Sequence, residues 1–208
     1  MCGRYDFDDS KDIFEINRIL DEINSKLQDK NAYKTGEIFP TDNVPIFSHS
    51  SNMINTEIMK WGFPRWDNKG VIINARSETC AKKKMFSDSL FEKRCVIPST
   101  GFYEWQKIDA SKKKDKYIFN MENSPMLYMA GLYDSFKVDD DLKKCFVILT
   151  TEANSSISDI HTRMPVILYE NELEDWLFDI DYIDRIFRRD DVHLNRKIIL
   201  KKELQLSI

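Results

Sequence analysis

The sequence predicts an α+β protein built on a strongly curved, barrel-like and mostly antiparallel β-structure, with helices at its periphery. Three observations carry this expectation. Short runs rich in β-branched and aromatic residues recur from Val44 to Tyr169, each bounded by turn-forming residues. Helical stretches are inserted between these runs rather than gathered at one end. The composition is globular: 208 residues, 42% hydrophobic and 32% charged, with no internal repeat or Pro/Gly/Ser linker to divide it. A single domain over residues 1–208 is therefore expected, with weaker signals in the tail after about residue 180.

Taken in chain order, the first element is an amphipathic helix over residues 10–27. Ser10 is the expected N-cap, and Ile13, Ile16, Ile19, Leu20, Ile23 and Leu27 form one stripe. Strands are expected at Val44–Ser48, Ile54–Trp61, Val71–Asn74, Arg94–Ile97, Gly101–Gln106, Tyr117–Met121, Met126–Tyr133, Cys145–Thr150 and Pro165–Tyr169. Helices are expected at Thr79–Phe91 and Asn171–Phe178, with a shorter turn at Ser155–Ile160. In the tail, Arg185–Arg189 reads as helical and Lys197–Leu200 as a terminal strand.

Composition also narrows the function. The first twenty residues hold eight charged groups and no apolar core of a signal peptide, and no later run approaches a membrane span, so neither secretion nor a membrane is expected. The four cysteines, Cys2, Cys80, Cys95 and Cys145, show no C-x-x-C spacing, which fits a reduced compartment better than a disulfide framework or zinc knuckle. No metal or cofactor is expected. Net charge is −4, yet Thr56–Asn120 carries fourteen Lys or Arg against eight Asp or Glu. That basic centre permits phosphate binding, although Lys112–Lys114 reads equally as a solvated loop tip.

Cys2 is the most informative residue. Removal of Met1 would leave an α-amine and a thiol on one carbon framework, a pair that closes a thiazolidine ring on an aldehyde. An α-amine has a pKa of about 7.7–8, against about 10.4 for lysine, so far more of it is neutral and nucleophilic near pH 7. The tethered thiol gains the effective concentration of an intramolecular reaction.

Four segments accompany it: Met1-Cys2-Gly3-Arg4-Tyr5; Trp61-Gly62-Phe63-Pro64-Arg65-Trp66 leading to Ile73-Asn74-Ala75-Arg76-Ser77-Glu78-Thr79; Arg94-Cys95-Val96-Ile97-Pro98-Ser99-Thr100-Gly101-Phe102-Tyr103-Glu104-Trp105; and Leu149-Thr150-Thr151-Glu152-Ala153-Asn154 with Ile160-His161-Thr162-Arg163-Met164-Pro165. Strand alternation places Glu104 beside Phe102, where an apolar wall would raise its pKa and suit it to proton exchange. His161 precedes a Met-Pro that should start a strand, a corner where a side chain can enter a cleft. Asn74 and Arg76, two apart, would share a strand face, the amide orienting a substrate and the guanidinium forking a phosphate. Trp66, in a Gly/Pro loop, is a natural base-stacking platform, whereas Trp61 is better suited to the core. Plainer readings stand beside these: Glu104 as a solvent-facing strand residue, His161 as a structural histidine, and Asn-Ala-Arg as a turn capping the next helix.

These segments, in this order, resemble the SOS-response-associated peptidase (SRAP) family, the abasic-site processing proteins, from Cys2 to about Leu168. The resemblance implies that fold, together with binding of single-stranded DNA containing abasic sites and covalent capture of the ring-opened aldehyde on Cys2 as a thiazolidine cross-link. It implies Cys2 as nucleophile, Asn74 as its orienting group, and Glu104 and His161 as proton-transfer groups. Arg4, Arg76 and Arg163 would neutralise phosphates, Trp66 would stack near the lesion, and Thr150 would supply a supporting hydroxyl. Pro40 matches a proline of the family's DNA surface, but Glu37 stands three residues before it where other members often carry Asn, a change expected to weaken any phosphate contact there. The implied protein is a monomer that is cytoplasmic or nucleoid-associated in a bacterium and nuclear in a eukaryote, with replication-fork proteins as candidate partners. β-Elimination at the imine stage would add lyase activity. Two rivals remain: a cysteine (auto)peptidase using Cys2, minimally to remove Met1, and a non-covalent reader of damaged or modified DNA.

Overall fold

The computed structural model describes residues 2–27, 32–50, 53–67, 69–107, 114–138 and 141–199. Strand β1 (Tyr5–Phe7) leads to helix α1 (Phe14–Lys26), then β2 (Gly36–Ile38), β3 (Asn43–Ser50) and β4 (Met53–Trp61). Two short strands, β5 (Phe63–Pro64) and β6 (Val71–Ile72), precede β7 (Asn74–Arg76) and the short helices α2 (Ser77–Cys80) and α3 (Ser87–Glu92). Strands β8 (Arg94–Ser99), β9 (Gly101–Lys107), β10 (Lys114–Met121), β11 (Leu127–Val138) and β12 (Asp141–Glu152) follow. The last described elements are β13 (Arg163–Pro165), β14 (Ile167–Leu168), α4 (Leu173–Phe178), α5 (Tyr182–Phe187) and β15 (Leu194–Ile199).

Besides a small two-stranded sheet of β5 and β6, two curved sheets result, and the expected fold class stands. In the larger, β12 pairs with β4, β4 with β3, β3 with β8, β8 with β11, and β11 again with β12, which closes a five-strand barrel. Closure needs one parallel contact, β12 with β4 at Phe146↔Trp61, and β7 also runs parallel to β12. The smaller sheet has the order β15-β10-β9-β1-β2 and is antiparallel throughout. Large apolar side chains fill the interior: Trp61 stacks on Phe146 at 6.3 Å, Tyr5 packs on Trp61 at 5.2 Å, and Phe102 stacks on Phe119 at 5.2 Å. Burying side chains of this size is the main favourable term in such a core. Gly62, between β4 and β5, has φ +116°, and a Cβ there would lie 2.7 Å from Val71 Cβ, so only glycine makes this turn without strain.

Several boundaries differ from expectation, each for a visible reason. Helix α1 begins at Phe14 with Ile13 at its N-cap and no side-chain cap. Ser10 is not that cap; its amide and hydroxyl both donate to Asp8 Oδ1, making a local turn instead. The expected helix at Thr79–Phe91 is two short helices, because Lys82–Lys84 offer no apolar stripe and Phe86 turns inward against Phe63. The run Val71–Asn74 divides at Ile73, where the chain leaves β5 and joins β12; the Ile73 carbonyl accepts from Trp61 Nε1 and from the Ile148 amide. Pro165–Tyr169 divides likewise at Val166, passing from β12 to β11. The tail helix is Tyr182–Phe187 rather than Arg185–Arg189, and β15 starts three residues before Lys197. Leu200, and Lys112 and Lys113 of the expected loop tip, lie outside the described residues.

Arg94 shows that not every polar residue in a striking motif is at a surface. It is 3% exposed and donates to the carbonyls of Leu90, Phe91, Trp176 and Leu177, so one guanidinium satisfies the C-terminal ends of α3 and α4 together.

Candidate active site

The register of β1 on β9 sets the position of Cys2. Tyr5 pairs with Phe102, and the Tyr103 amide donates to the Arg4 carbonyl at 2.9 Å. Continuing that antiparallel course carries Cys2 and Gly3 alongside Glu104 and Trp105. From the barrel side, β7 presents Asn74, whose Nδ2 donates to the Cys2 carbonyl at 2.8 Å. Cys2 thus lies in a seam between the two sheets, fully buried, with its thiol donating to the Arg4 carbonyl at 3.6 Å. Burial, and secondarily the nearby Glu104 carboxylate, push this thiol far above its usual range.

Glu104 is 3% exposed on β9, on the same face as Phe102, as strand alternation anticipates. Its Oε2 lies 3.9 Å from His161 Nε2. His161 stands at the corner before β13, and its Nδ1 lies 3.0 Å from the Arg163 amide nitrogen and 3.1 Å from the Arg163 carbonyl oxygen. An amide can only donate and a carbonyl can only accept. The neutral ring with a bare Nδ1 therefore takes the amide hydrogen, while the imidazolium gives its Nδ1 hydrogen to the carbonyl. Either protonation state finds a backbone partner, and in both Nε2 faces Glu104. Asn74 Oδ1 is buried with no hydrogen-bond partner among the described residues, which leaves an acceptor in the seam.

Around this seam the remaining candidates divide into two kinds. Trp66 is 89% exposed on the loop after β5, and Arg76 is exposed at the end of β7 with no ion pair among the described residues. Arg76 and Asn74 line one open depression of about 470 Å³ together with Ile72, Lys83, Met85 and Phe86. Pro40 is half-buried in the turn Phe39–Asp42, where the Asp42 amide donates back to the Phe39 carbonyl and Thr41 has φ +78°, the pattern of a type II turn with proline second.

The other arginines are already engaged. Arg163 forms a two-pronged pair with Glu78, at 2.5 and 3.0 Å, and also donates to the Thr150 carbonyl at 2.6 Å. Arg4 pairs with Glu37 at 2.9 Å. Thr150 is fully buried, its hydroxyl within 3.4 Å of the Ala75 carbonyl and of Arg163 Nη2, so it stands behind Arg163 rather than at a surface where DNA would touch it. The structure thus brings Cys2, Asn74, Glu104 and His161 to one seam and leaves Trp66 and Arg76 at its open side. It also reveals two participants that sequence reasoning missed, Lys116 beside Glu37 and Glu78 beside Arg163. Glu37 was conspicuous only as a departure from a motif, and nothing in the sequence near Lys116 or Glu78 marks a partner.

Among the described residues no cluster of three or more His, Cys, Asp or Glu could hold a metal ion, and all four cysteines are free and buried. No helix among them is long and apolar enough to cross a membrane.

Comparison with known proteins gives a consistent picture. The model of the SOS response associated peptidase (SRAP) family matches residues 1–187. Abasic site processing protein YoqW of Bacillus subtilis (strain 168) is 33% identical over 206 residues, covering 92% of this chain and 88% of that protein. YoaM of the same organism, also named an abasic site processing protein, is 35% identical over 188 residues, covering 85% of this chain and 79% of that one. Abasic site processing protein YedK of Escherichia coli (strain K12) is 26% identical over 179 residues, with the same coverages of 85% and 79%. Among solved structures, a protein from Bacteroides thetaiotaomicron superposes with a TM-score of 0.74 at 24% identity, covering 96% of this chain and 92% of that one, which is a likeness of fold.

Proposed function

The chain belongs to the SOS response associated peptidase (SRAP) family, and on that premise we propose that it processes abasic sites in DNA. It binds single-stranded DNA and, once Met1 has been removed, captures the aldehyde of the ring-opened abasic sugar on Cys2. The amine nitrogen adds to the aldehyde carbon, and the resulting carbinolamine loses water to give an iminium. The thiol sulfur then adds to that same carbon, its proton passing to a base, and a neutral thiazolidine closes. The overall balance is one water released for one carbon–nitrogen and one carbon–sulfur bond formed.

The observation that carries this reading is the position of Cys2. Its carbonyl is held by Asn74 in a seam also occupied by Glu104 and His161, so the residue that would bear the amine is oriented before substrate arrives. Expulsion of water and transfer of the thiol proton both need a group that gives and takes protons, and His161 has a backbone partner in either state. The buried thiol favours the aldehyde over the peptidase reading. A peptidase needs a thiolate as its attacking group, and burial opposes one here. In ring closure the thiol meets a carbon already made electrophilic as an iminium, with a base beside it. β-Elimination is the competing fate of an iminium that does not close. The domain acts as one unit and as a monomer, without a cofactor.

The test is to mix mature protein, its intact mass verified, with an oligonucleotide bearing one abasic site. A heat-stable, SDS-resistant adduct is expected, and Cys2→Ala should abolish it while keeping affinity for undamaged single strands within about twofold. No adduct from protein with a free Cys2 amine would sink the proposal.

A further inference from the structure

The pair between Arg4 and Glu37 includes a third charge. Lys116 on β10 places Nζ 2.7 Å from Glu37 Oε1, the same oxygen that accepts from Arg4 Nη1 at 2.9 Å. Two cations, Arg4 just before β1 and Lys116 on β10, converge on one oxygen, as they would on a phosphate oxygen. The walls are aromatic: the Arg4 guanidinium lies 3.8 Å from the Phe39 ring centre, and Lys116 Nζ lies 3.9 Å from that of Tyr103. Trp105 stands 5.7 Å from both cations. Sheet register explains the meeting. Asp6 pairs with Glu37, Trp105 pairs with Lys116, and Arg4 lies opposite Tyr103, so the three charged side chains share one face of the sheet, and Lys116 on β10 and Glu37 on β2 meet across β9 and β1.

We propose that Arg4 and Lys116 form a binding site for a backbone phosphodiester beside Cys2, and that Glu37 fills it in the DNA-free protein as a carboxylate stand-in that the phosphate displaces. The inference rests on the single-stranded DNA reading above and deepens it, adding Lys116 as a phosphate contact and Glu37 as a competing anion. Arg4 is two residues from Cys2, about 7 Å of chain at most between their Cα atoms, so a phosphate held here lies close along the strand to the captured nucleotide. The three side chains are 34%, 31% and 22% exposed for Arg4, Glu37 and Lys116, a setting in which ion pairs contribute little and exchange readily. Partial burial alone would raise the Glu37 carboxyl, but hydrogen bonds from Lys116 and Arg4 outweigh it and hold the group below the usual carboxylate range. Glu37 is therefore ionised at neutral pH, and the competition is one of charge against charge. A phosphodiester replaces it well, because its two unesterified oxygens can engage the arginine fork and the ammonium at once.

The experiment is non-covalent binding of an undamaged single-stranded oligonucleotide to the full chain across a salt series. Glu37→Gln should bind several-fold tighter at about 50 mM salt with the slope of log K against log salt unchanged, since the phosphate occupies the site in both proteins once bound. Lys116→Gln should bind more weakly, with a slope shallower by about 0.7, the increment for one phosphate no longer neutralised. Unchanged affinity in a folded Glu37→Gln protein would overturn the site. Should that variant not fold, unchanged binding by Lys116→Gln overturns it instead. Failure of the wild-type chain to bind at low salt would overturn the single-stranded DNA reading and this site together, whereas normal wild-type binding that neither variant alters removes this site alone.

Discussion

Around Cys2 the chain buries its reactive groups, whereas at Trp66 and Arg76 it exposes them. Cys2 is 0% and Glu104 3% exposed, against 89% for Trp66, although all belong to segments of similar aromatic and charged character. The seam is built where β9, β7, the residues before β1 and the corner before β13 meet, so its side chains are fixed by register and by hydrogen bonds such as that from Asn74 to Cys2. The open side is built from a loop and a strand terminus, where side chains meet solvent and are free to meet a polymer. On the proposed function the difference becomes a division of labour, in which the seam would set the rate of covalent capture and the open side would set affinity.

Four substitutions sharpen or break that division, beyond complete loss of adduct in Cys2→Ala. The largest effect is expected from His161→Ala or Glu104→Gln, each lowering the first-order cross-linking rate at saturating DNA by about 10²–10⁴-fold, the usual worth of a general acid or base. A single-turnover time course measures it, and a rate unchanged in both variants would remove the proton-transfer assignment. Next comes Trp66→Ala, which should weaken binding of single-stranded DNA by about 1–3 kcal/mol, the worth of one stacked base, while the saturated rate holds. A lower saturated rate with intact affinity would break the division. The smallest effect is expected from Arg76→Ala, a few-fold loss of affinity with a salt slope shallower by about 0.7, read by fluorescence anisotropy. Equal slopes would show that Arg76 meets no phosphate.

The arginines extend the comparison. Arg4 and Arg163 each carry a carboxylate partner supplied by a distant segment, Glu37 and Glu78, whereas Arg76 lies at the rim without an ion pair among the described residues. Sequence reasoning treated the three alike, because an arginine in a motif looks the same whether its charge is committed or available. The pairing is a matter of sheet register and strand crossing, which place residue 4 beside residue 37 and residue 163 beside residue 78. Local signals failed in a similar way at Ser10, where a good capping residue found Asp8 first, and at Ile73 and Val166, where one apolar run serves two partner strands. They succeeded at Trp61 and Trp66, since a tryptophan ending an alternating strand and one in a Gly/Pro loop have different surroundings within a few residues.

By itself the sequence determined the fold class, the family, the contrast between the two tryptophans and the four residues of the seam. Those follow from local periodicity, and from motifs whose residue types carry their chemistry wherever they are placed. Only the tertiary structure decided that the barrel closes through a parallel β12–β4 contact, that Thr150 lies behind Arg163, and that Lys116 joins Arg4 on one oxygen of Glu37. These are long-range pairings between strands, and the charge or hydroxyl at either end has no local signature until register brings the two together.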